Sequence, residues 1–202
     1  YKAFAGRGFF GALTMITLFI TINKVGLGRG AVLFNLTAVF ATFAGIPLLK
    51  EWPRPASWGA LGLATAGVSA CSASGIPVGR EWLALLAALS GGLTYPFIRQ
   101  LRQTDNNQVA FFSQCAFGLP MILPLLSWSQ FPVTPDVWGL ILAMIGCAID
   151  GQLILSHGLA SVKMAKGAVI LLLIPVLSLL TGVLLFAERL SARQWLGCAL
   201  VL

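Results

Sequence analysis

The chain contains 202 residues, of which 58% are hydrophobic and 9% are charged, against roughly 25% charged residues in ordinary soluble domains. This composition excludes a water-soluble globular protein, because too little polar surface is available to cover a single core. The net charge of +7 would point to nucleic acid in a soluble domain. Here nearly all Lys and Arg residues lie at the edges of apolar runs, where they can reach lipid head groups. We therefore expect a lipid bilayer, and no nucleic acid, as partner.

Short polar breaks divide the chain into apolar runs that are long enough to cross a bilayer, since about 20 residues of helix span the hydrocarbon core. Seven full runs and one partial run follow in chain order, at roughly 4 to 23, 29 to 49, 56 to 74, 82 to 100, 108 to 127, 136 to 157, 166 to 187 and 192 to 202. The alternating pattern of an outer-membrane barrel is absent from the sequence. The sequence therefore predicts an all-α integral membrane protein, a helical bundle that is truncated at both ends.

An internal repeat relates two parts of the chain at an offset of 137 residues, with ten identities in 34 positions. Glu51 falls on Glu188 and Trp58 on Trp195, and these matches weigh most because both residue types are scarce here. The runs that begin at 82 and 108 would have counterparts before Tyr1, which predicts five helices in each repeat. An odd number of crossings inverts one repeat relative to the other, as in many secondary transporters.

Both repeats contain small residues, then a long apolar helix, a Glu at its far end and an aromatic residue seven positions later. The segments read GAVLFNLTAVFATFAGIPLLKEWPRPASW and GAVILLLIPVLSLLTGVLLFAERLSARQW. This pattern resembles the EamA family of the drug/metabolite transporter superfamily. The resemblance implies ten transmembrane helices in two inverted five-helix repeats, of which this chain would hold helices three to ten. One departure is that the proline often found in both helices is present as Pro175, while the matching position is Ala38.

The resemblance also implies the domain organisation and the location of the protein. Residues 1–75 would be the last three helices of the first repeat, and residues 76–202 the second repeat with its last helix incomplete. The protein would be a multi-pass protein of the cell membrane, here the bacterial inner membrane. If the side that bears Tyr1 is cytoplasmic, that side carries eight Lys and Arg residues against five on the other, in the direction of the positive-inside rule.

The function implied by the resemblance is secondary-active or facilitative transport of a small-molecule metabolite, by alternating access and often outward. No ATP-binding motif and no cluster of metal ligands occurs in the sequence, so we expect no cofactor. Two alternatives stay open, an intramembrane enzyme and a structural multi-pass subunit. An enzyme would need a nucleophile with a base, or a pair of carboxylates, at membrane depth. The chain offers one deep Asp, a lone His and neither a GxGD nor a GxSxG pattern, so we expect that it is not an enzyme.

Asp150 is the only acidic residue deep within an apolar run, and a charged residue at that depth is costly. Helical periodicity aligns it with Gly146, Ile154 and His157. We expect Asp150 to face the bundle interior as a protonatable or substrate-contacting group. The alternative is a structural carboxyl that is protonated or paired with a neighbouring helix.

Four further polar residues complete the predicted substrate-binding set. Asn35 and Thr42 lie seven residues apart on one face of their run, which predicts a polar lining or, equally, hydrogen bonds between helices. Tyr95 and Gln114 lie within later runs. A stripe of threonines in the first run is interpreted as hydrogen bonding to its own helix. Its members are Thr14, Thr17 and Thr21.

Two acidic residues at helix ends have a different interpretation. Glu51 and Glu188 are interpreted as interfacial capping or salt-bridging groups, because each adjoins a basic residue at the end of an apolar run. Arg99, near the end of its run, is expected to anchor its helix at the lipid head groups.

Overall fold

Helices make up nearly all of the chain that the structure describes. The structure is a computed structural model, and it describes residues 1–25, 33–71, 82–125 and 135–174 together with positions 176, 177, 183, 184 and 195. The helices are α1 (Lys2–Val25), α2 (Thr37–Leu49), α3 (Pro55–Cys71), α4 (Trp82–Leu101), α5 (Asn107–Ile122), α6 (Pro135–Ser161) and α7 (Met164–Leu171). A 3₁₀ turn, Leu123–Leu125, follows α5. No strand occurs within these ranges, so the predicted all-α bundle is confirmed.

Within the described part of the chain, three helices are long and apolar enough to cross a membrane. They are Lys2–Lys24, Asn107–Leu125 and Val137–Ser161, with mean hydropathies of 1.6, 1.4 and 1.8, and Thr37–Leu49 is a shorter apolar helix. Five of the predicted runs correspond to helices whose ends agree within a few residues. The run 192 to 202 apart from position 195, and most of the second half of the run 166 to 187, lie outside the described residues.

The run from 29 to 49 is interrupted where the structure describes it. Asn35 and Leu36 form a turn, and α2 begins at Thr37. The Leu36 N–H donates to the Leu33 carbonyl at 3.1 Å, and the Ala38 N–H donates to the Asn35 carbonyl at 3.2 Å. Both bonds join residues three apart, the pattern of a 3₁₀ turn rather than an α-helix. The helix therefore opens here without a proline at the position of Ala38.

A second break occurs 137 residues later, at the matching position of the repeat. α7 ends at Leu171, and the N–H of Leu172 donates to the Val169 carbonyl at 3.1 Å. Pro175 follows Leu171 by four residues and has no N–H to donate to its carbonyl. The two breaks thus coincide in the repeat register, although only the second has a proline to cause it.

The closest packing in the described chain lies around α4, which packs against α1 and α2, while α1 also packs against α5. Glycines permit these contacts. A Cβ added at Gly92 would lie 2.4 Å from the Phe40 Cβ and 2.8 Å from the Ala41 nitrogen, and one at Gly8 would lie 2.5 Å from the Ser113 carbonyl oxygen. The helix backbones can approach this closely because these positions have no side chain.

Candidate functional site

An arginine lies buried between three helices. Arg7, in the second turn of α1, exposes 2% of its surface. Its Nη2 group donates to Oε1 of Gln114 on α5 and, at 3.2 Å, to Oε1 of Gln152 on α6. Removing a guanidinium from water costs several kcal/mol, so a buried arginine needs compensating contacts. Here amide oxygens from two neighbouring helices provide part of that compensation.

Gly11 makes room for the guanidinium, one helical turn after Arg7. A Cβ added at Gly11 would lie 2.2 Å from Arg7 Nη1 and 3.5 Å from Gln114 Cδ. In the part of the chain that the structure describes, no carboxylate pairs with Arg7, and its Nε–H has no acceptor. The site therefore holds an unneutralised positive charge and an unused hydrogen-bond donor.

Two more polar residues belong to the same region. Ser156 lies one turn after Gln152 on α6, is 4% exposed, and its Oγ has no hydrogen-bond partner. Residues four apart on a helix have their Cβ atoms about 5–6 Å apart. Tyr95 of α4 is half-buried and packs against a buried cluster that includes Leu159, three residues after Ser156 on α6. We call Arg7, Gln114, Gln152, Ser156 and Tyr95 the interior polar cluster.

The structure brings Gln114 and Tyr95 into this cluster but leaves Asp150 outside it. Asp150 is exposed, two residues from Gln152 and thus on nearly the opposite side of α6. The predicted periodicity is correct, because Gly146, Ile154 and His157 are exposed as well. The expectation that Asp150 faces the bundle interior is not met, since this shared face points away from the helices that α6 contacts.

Among the described residues, Asn35 and Thr42 make no hydrogen bond to the interior polar cluster. Thr42 is 2% exposed, and its Oγ1 donates to the carbonyl of Ala38 in its own helix at 2.9 Å. Asn35 is half-buried in the turn before α2. The threonines of α1 confirm the interpretation of their stripe, since each hydroxyl donates to a carbonyl three or four residues earlier. The four-residue bonds are Thr14 to Phe10 at 2.6 Å, Thr17 to Leu13 at 2.6 Å and Thr21 to Thr17 at 2.7 Å.

A cavity of about 270 Å³ opens at the end of the bundle where α2, α4 and α6 terminate. We call it the Glu51 cavity. Glu51 Oε2 accepts from Arg99 Nη1 at 2.5 Å and from the backbone N–H of Met164 at 3.0 Å. The carboxylate thus supplies the cap that α7 lacks locally, since its N-cap residue Lys163 makes no side-chain cap bond. The polar lining consists of Thr42, Arg54, Ser57, Ser161, Lys163 and Lys166 beside Glu51.

These contacts confirm the interpretation of Glu51 as a capping and salt-bridging group. Arg99, expected to anchor its helix at lipid head groups, is instead the ion-pair partner of Glu51, and the two side chains are 15% and 24% exposed respectively. One carboxylate therefore connects the loop after α2, the end of α4 and the start of α7. Glu188 lies outside the described residues.

Sequence reasoning missed Arg7, Gln152 and Ser156. Arg7 lies near the start of an apolar run, where a basic residue ordinarily reaches the head groups, and nothing in the run itself says that it turns inward. A signal was available in Gly11, which leaves room beside it, and in glutamines placed inside two other apolar runs. Glutamine side chains inside the membrane need hydrogen-bond partners, and one guanidinium can donate to the amide oxygens of two glutamines.

A family model described as the EamA-like transporter family matches residues 80–202, which is more than half of the chain. No curated protein matches the chain. The matched residues include α4 to α7, and with them Tyr95, Gln114, Gln152 and Ser156 of the interior polar cluster.

Proposed function

We propose that the chain is a secondary-active or facilitative carrier. It belongs to the EamA-like transporter family, and it is thus a multi-pass membrane transporter of the drug/metabolite transporter superfamily. In this proposal it moves a small metabolite outward across the bacterial inner membrane by alternating access. Proteins of this family are generally not enzymes. Residues 1–75 and 76–202 would belong to two inverted repeats of five helices each.

The observation that carries this proposal is the pair of helix breaks separated by the repeat offset. One break lies at Asn35 and Leu36, and the other at Leu172, which is Asn35 moved by 137 positions. Many inverted-repeat transporters have such discontinuous helices at corresponding positions of their two halves. A structural subunit has no need for matched breaks, because each one removes backbone hydrogen bonds inside the membrane.

Glu51 is proposed to act as a latch during alternating access. Its bonds to Arg99 and to the Met164 N–H join segments that the repeat assigns to different halves of the protein. Opening the bundle at this end would break both bonds, so their strength would influence how often the end opens. The basic residues that line the Glu51 cavity favour the cytoplasmic side for this end.

The interior polar cluster is the proposed substrate region. Gln114 and Tyr95, predicted from the sequence, would contact substrate there together with Arg7 and Gln152. Substrate contacts by Asn35, Thr42 and Asp150 also stay predictions.

The test is counterflow of labelled metabolites in proteoliposomes that contain the intact protein. We expect at least one labelled metabolite to exchange against the same unlabelled metabolite, and Glu51→Gln to change its exchange rate about tenfold, as expected for about 1.4 kcal/mol. The matched control is Asp105→Asn, which neutralises an exposed carboxylate in the loop after α4; its rate should stay within about twofold. Absence of exchange across a broad metabolite panel would contradict the carrier function. Equal rates for Glu51→Gln and the unaltered protein would contradict the latch.

A further inference from the structure

The interior polar cluster carries a charge that the described protein does not neutralise. Arg7 is 2% exposed, and the ion pair found among the described residues joins Glu51 to Arg99 instead. The groups that do contact its Nη2, Gln114 and Gln152, are neutral amides. A buried charge without a counterion is costly, and an anion that pairs with it would offset part of that cost.

The cluster also has more hydrogen-bond donors than acceptors. The two glutamine Oε1 atoms are already used by Arg7, whereas Arg7 Nε–H has no acceptor and Ser156 Oγ has no partner. The amide NH₂ groups of the two glutamines add further donors. A carboxylate or a phosphate offers only acceptor atoms and a negative charge, so it complements such a site in both respects.

We infer that the interior polar cluster binds the anionic group, a carboxylate or a phosphate, of the transported substrate. In this arrangement Arg7 provides the charge, and Arg7 Nε–H and the Ser156 hydroxyl donate to the anionic oxygens. This inference rests on the proposed carrier function, which it deepens by naming the substrate class. Anion binding is nevertheless measurable without transport.

The packing of α6 offers a route by which a ligand could reach the interior polar cluster. Within the described residues, Ser156 and Leu159 are buried in the C-terminal part of this helix, whereas all residues between Trp138 and Gly151 except Ile141 and Ile149 are exposed. A displacement of the C-terminal part of α6 would separate Gln152 and Ser156 from Arg7 and admit a ligand.

The experiment compares anionic ligands with counterparts that lack any carboxylate or phosphate. The intact protein is purified in detergent, and its thermal unfolding is measured with lactate against lactamide, succinate against succinamide, and glycerol 3-phosphate against glycerol. We expect at least one acid to raise the Tm while its neutral counterpart does not. The pair that responds distinguishes a carboxylate from a phosphate. Counterflow of the same six compounds in proteoliposomes is then measured.

The variants test which atoms make the site. Arg7→Gln should weaken the apparent affinity for the acid about 10- to 100-fold, the value expected for a hydrogen bond to a charged group. Arg7→Lys, which keeps the charge but not the planar fork, should lose less, and Ser156→Ala should lose about threefold to tenfold. Lys2→Gln is the matched control, since it removes an exposed charge from the same helix, and it should bind as the unaltered protein does.

The outcomes separate this inference from the carrier function. An Arg7-dependent Tm shift, together with absence of counterflow across the broad metabolite panel, supports the anion site and contradicts the carrier function. Counterflow of a neutral member that Arg7→Gln does not slow supports the carrier function and overturns the anion site. The anion site is also overturned if no acid raises the Tm, or if Ser156→Ala and Arg7→Lys bind every acid as tightly as the unaltered protein.

Discussion

The close helix contacts of α1 and α4 contain glycines, and so does the exposed stretch of α6 between Trp138 and Gly151. The surroundings of these two groups of glycines are opposite. A Cβ added at Gly8 or Gly92 would overlap atoms of the neighbouring helix, whereas one at Gly139, Gly146 or Gly151 would meet nothing within 4 Å. The first group of glycines permits helices to touch. The second group makes no such contact with the residues that the structure describes. A glycine in a membrane helix therefore indicates a close helix–helix contact only where another helix lies against it.

The ionisable residues follow the same division. Arg7 lies within an apolar run and is buried among polar partners, whereas Asp150 lies within another and is exposed. Depth within an apolar run is thus a poor guide to orientation. The neighbours that a helix meets on each side decide whether a polar group points inward.

The largest expected effect comes from filling the closest contact. Gly92→Ala should destabilise the protein by about 3 kcal/mol, because the added Cβ would overlap the Phe40 Cβ and the backbone of Ala41, which cannot move aside cheaply. Thermal unfolding in detergent measures this. Gly146→Ala is the matched control, and it should be neutral or stabilise by about 0.5–1 kcal/mol through helix propensity. Equal effects of the two substitutions would remove the distinction between the regions.

A smaller effect is expected where the obstructed group is flexible. Gly11→Ala would place a Cβ against Arg7 Nη1, so the guanidinium should shift and weaken its bond to Gln114, at a cost of about 1–2 kcal/mol. Gly118→Ala serves as control, because its Cβ would make only an ordinary contact at 3.9 Å with Ala12. If the Gly11→Ala and Gly118→Ala variants unfold at the same temperature, the position of the Arg7 guanidinium does not depend on the space beside Gly11.

The Glu51 contacts should contribute about 1 kcal/mol, since the ion pair is partly exposed. Glu51→Gln and Arg99→Gln should each lower the stability by about that amount. The double variant should lose less than the sum, because both substitutions break the same pair. Strict additivity in this cycle would show that the two side chains do not stabilise each other.

The smallest effect is expected at Asp150. Because its side chain is exposed and lies outside the interior polar cluster, Asp150→Asn should change the stability by less than about 0.5 kcal/mol. Counterflow should stay within about twofold of the unaltered rate. Loss of pH-gradient dependence in this variant would instead establish proton coupling through Asp150 and contradict the division between the two regions.

Much of the architecture follows from the amino-acid sequence alone. Apolar runs of about 20 residues predict the helices, because in lipid every backbone group must bond within its own segment. The location of Glu51 at the end of such a run was enough to predict its capping and ion-pairing contacts, and the α1 threonines bond to their own helix as their spacing predicts. These features depend on local chemistry, which is present in the sequence.

Orientation was decided only by the tertiary structure. α6 is apolar on nearly all sides, so its pattern does not indicate which face packs inward, and Gln152 rather than Asp150 turned out to face Arg7. The burial of Arg7 depends on amide groups more than 100 residues away. A contact between such distant positions requires three helices to be in place together, and no local property of the chain determines that.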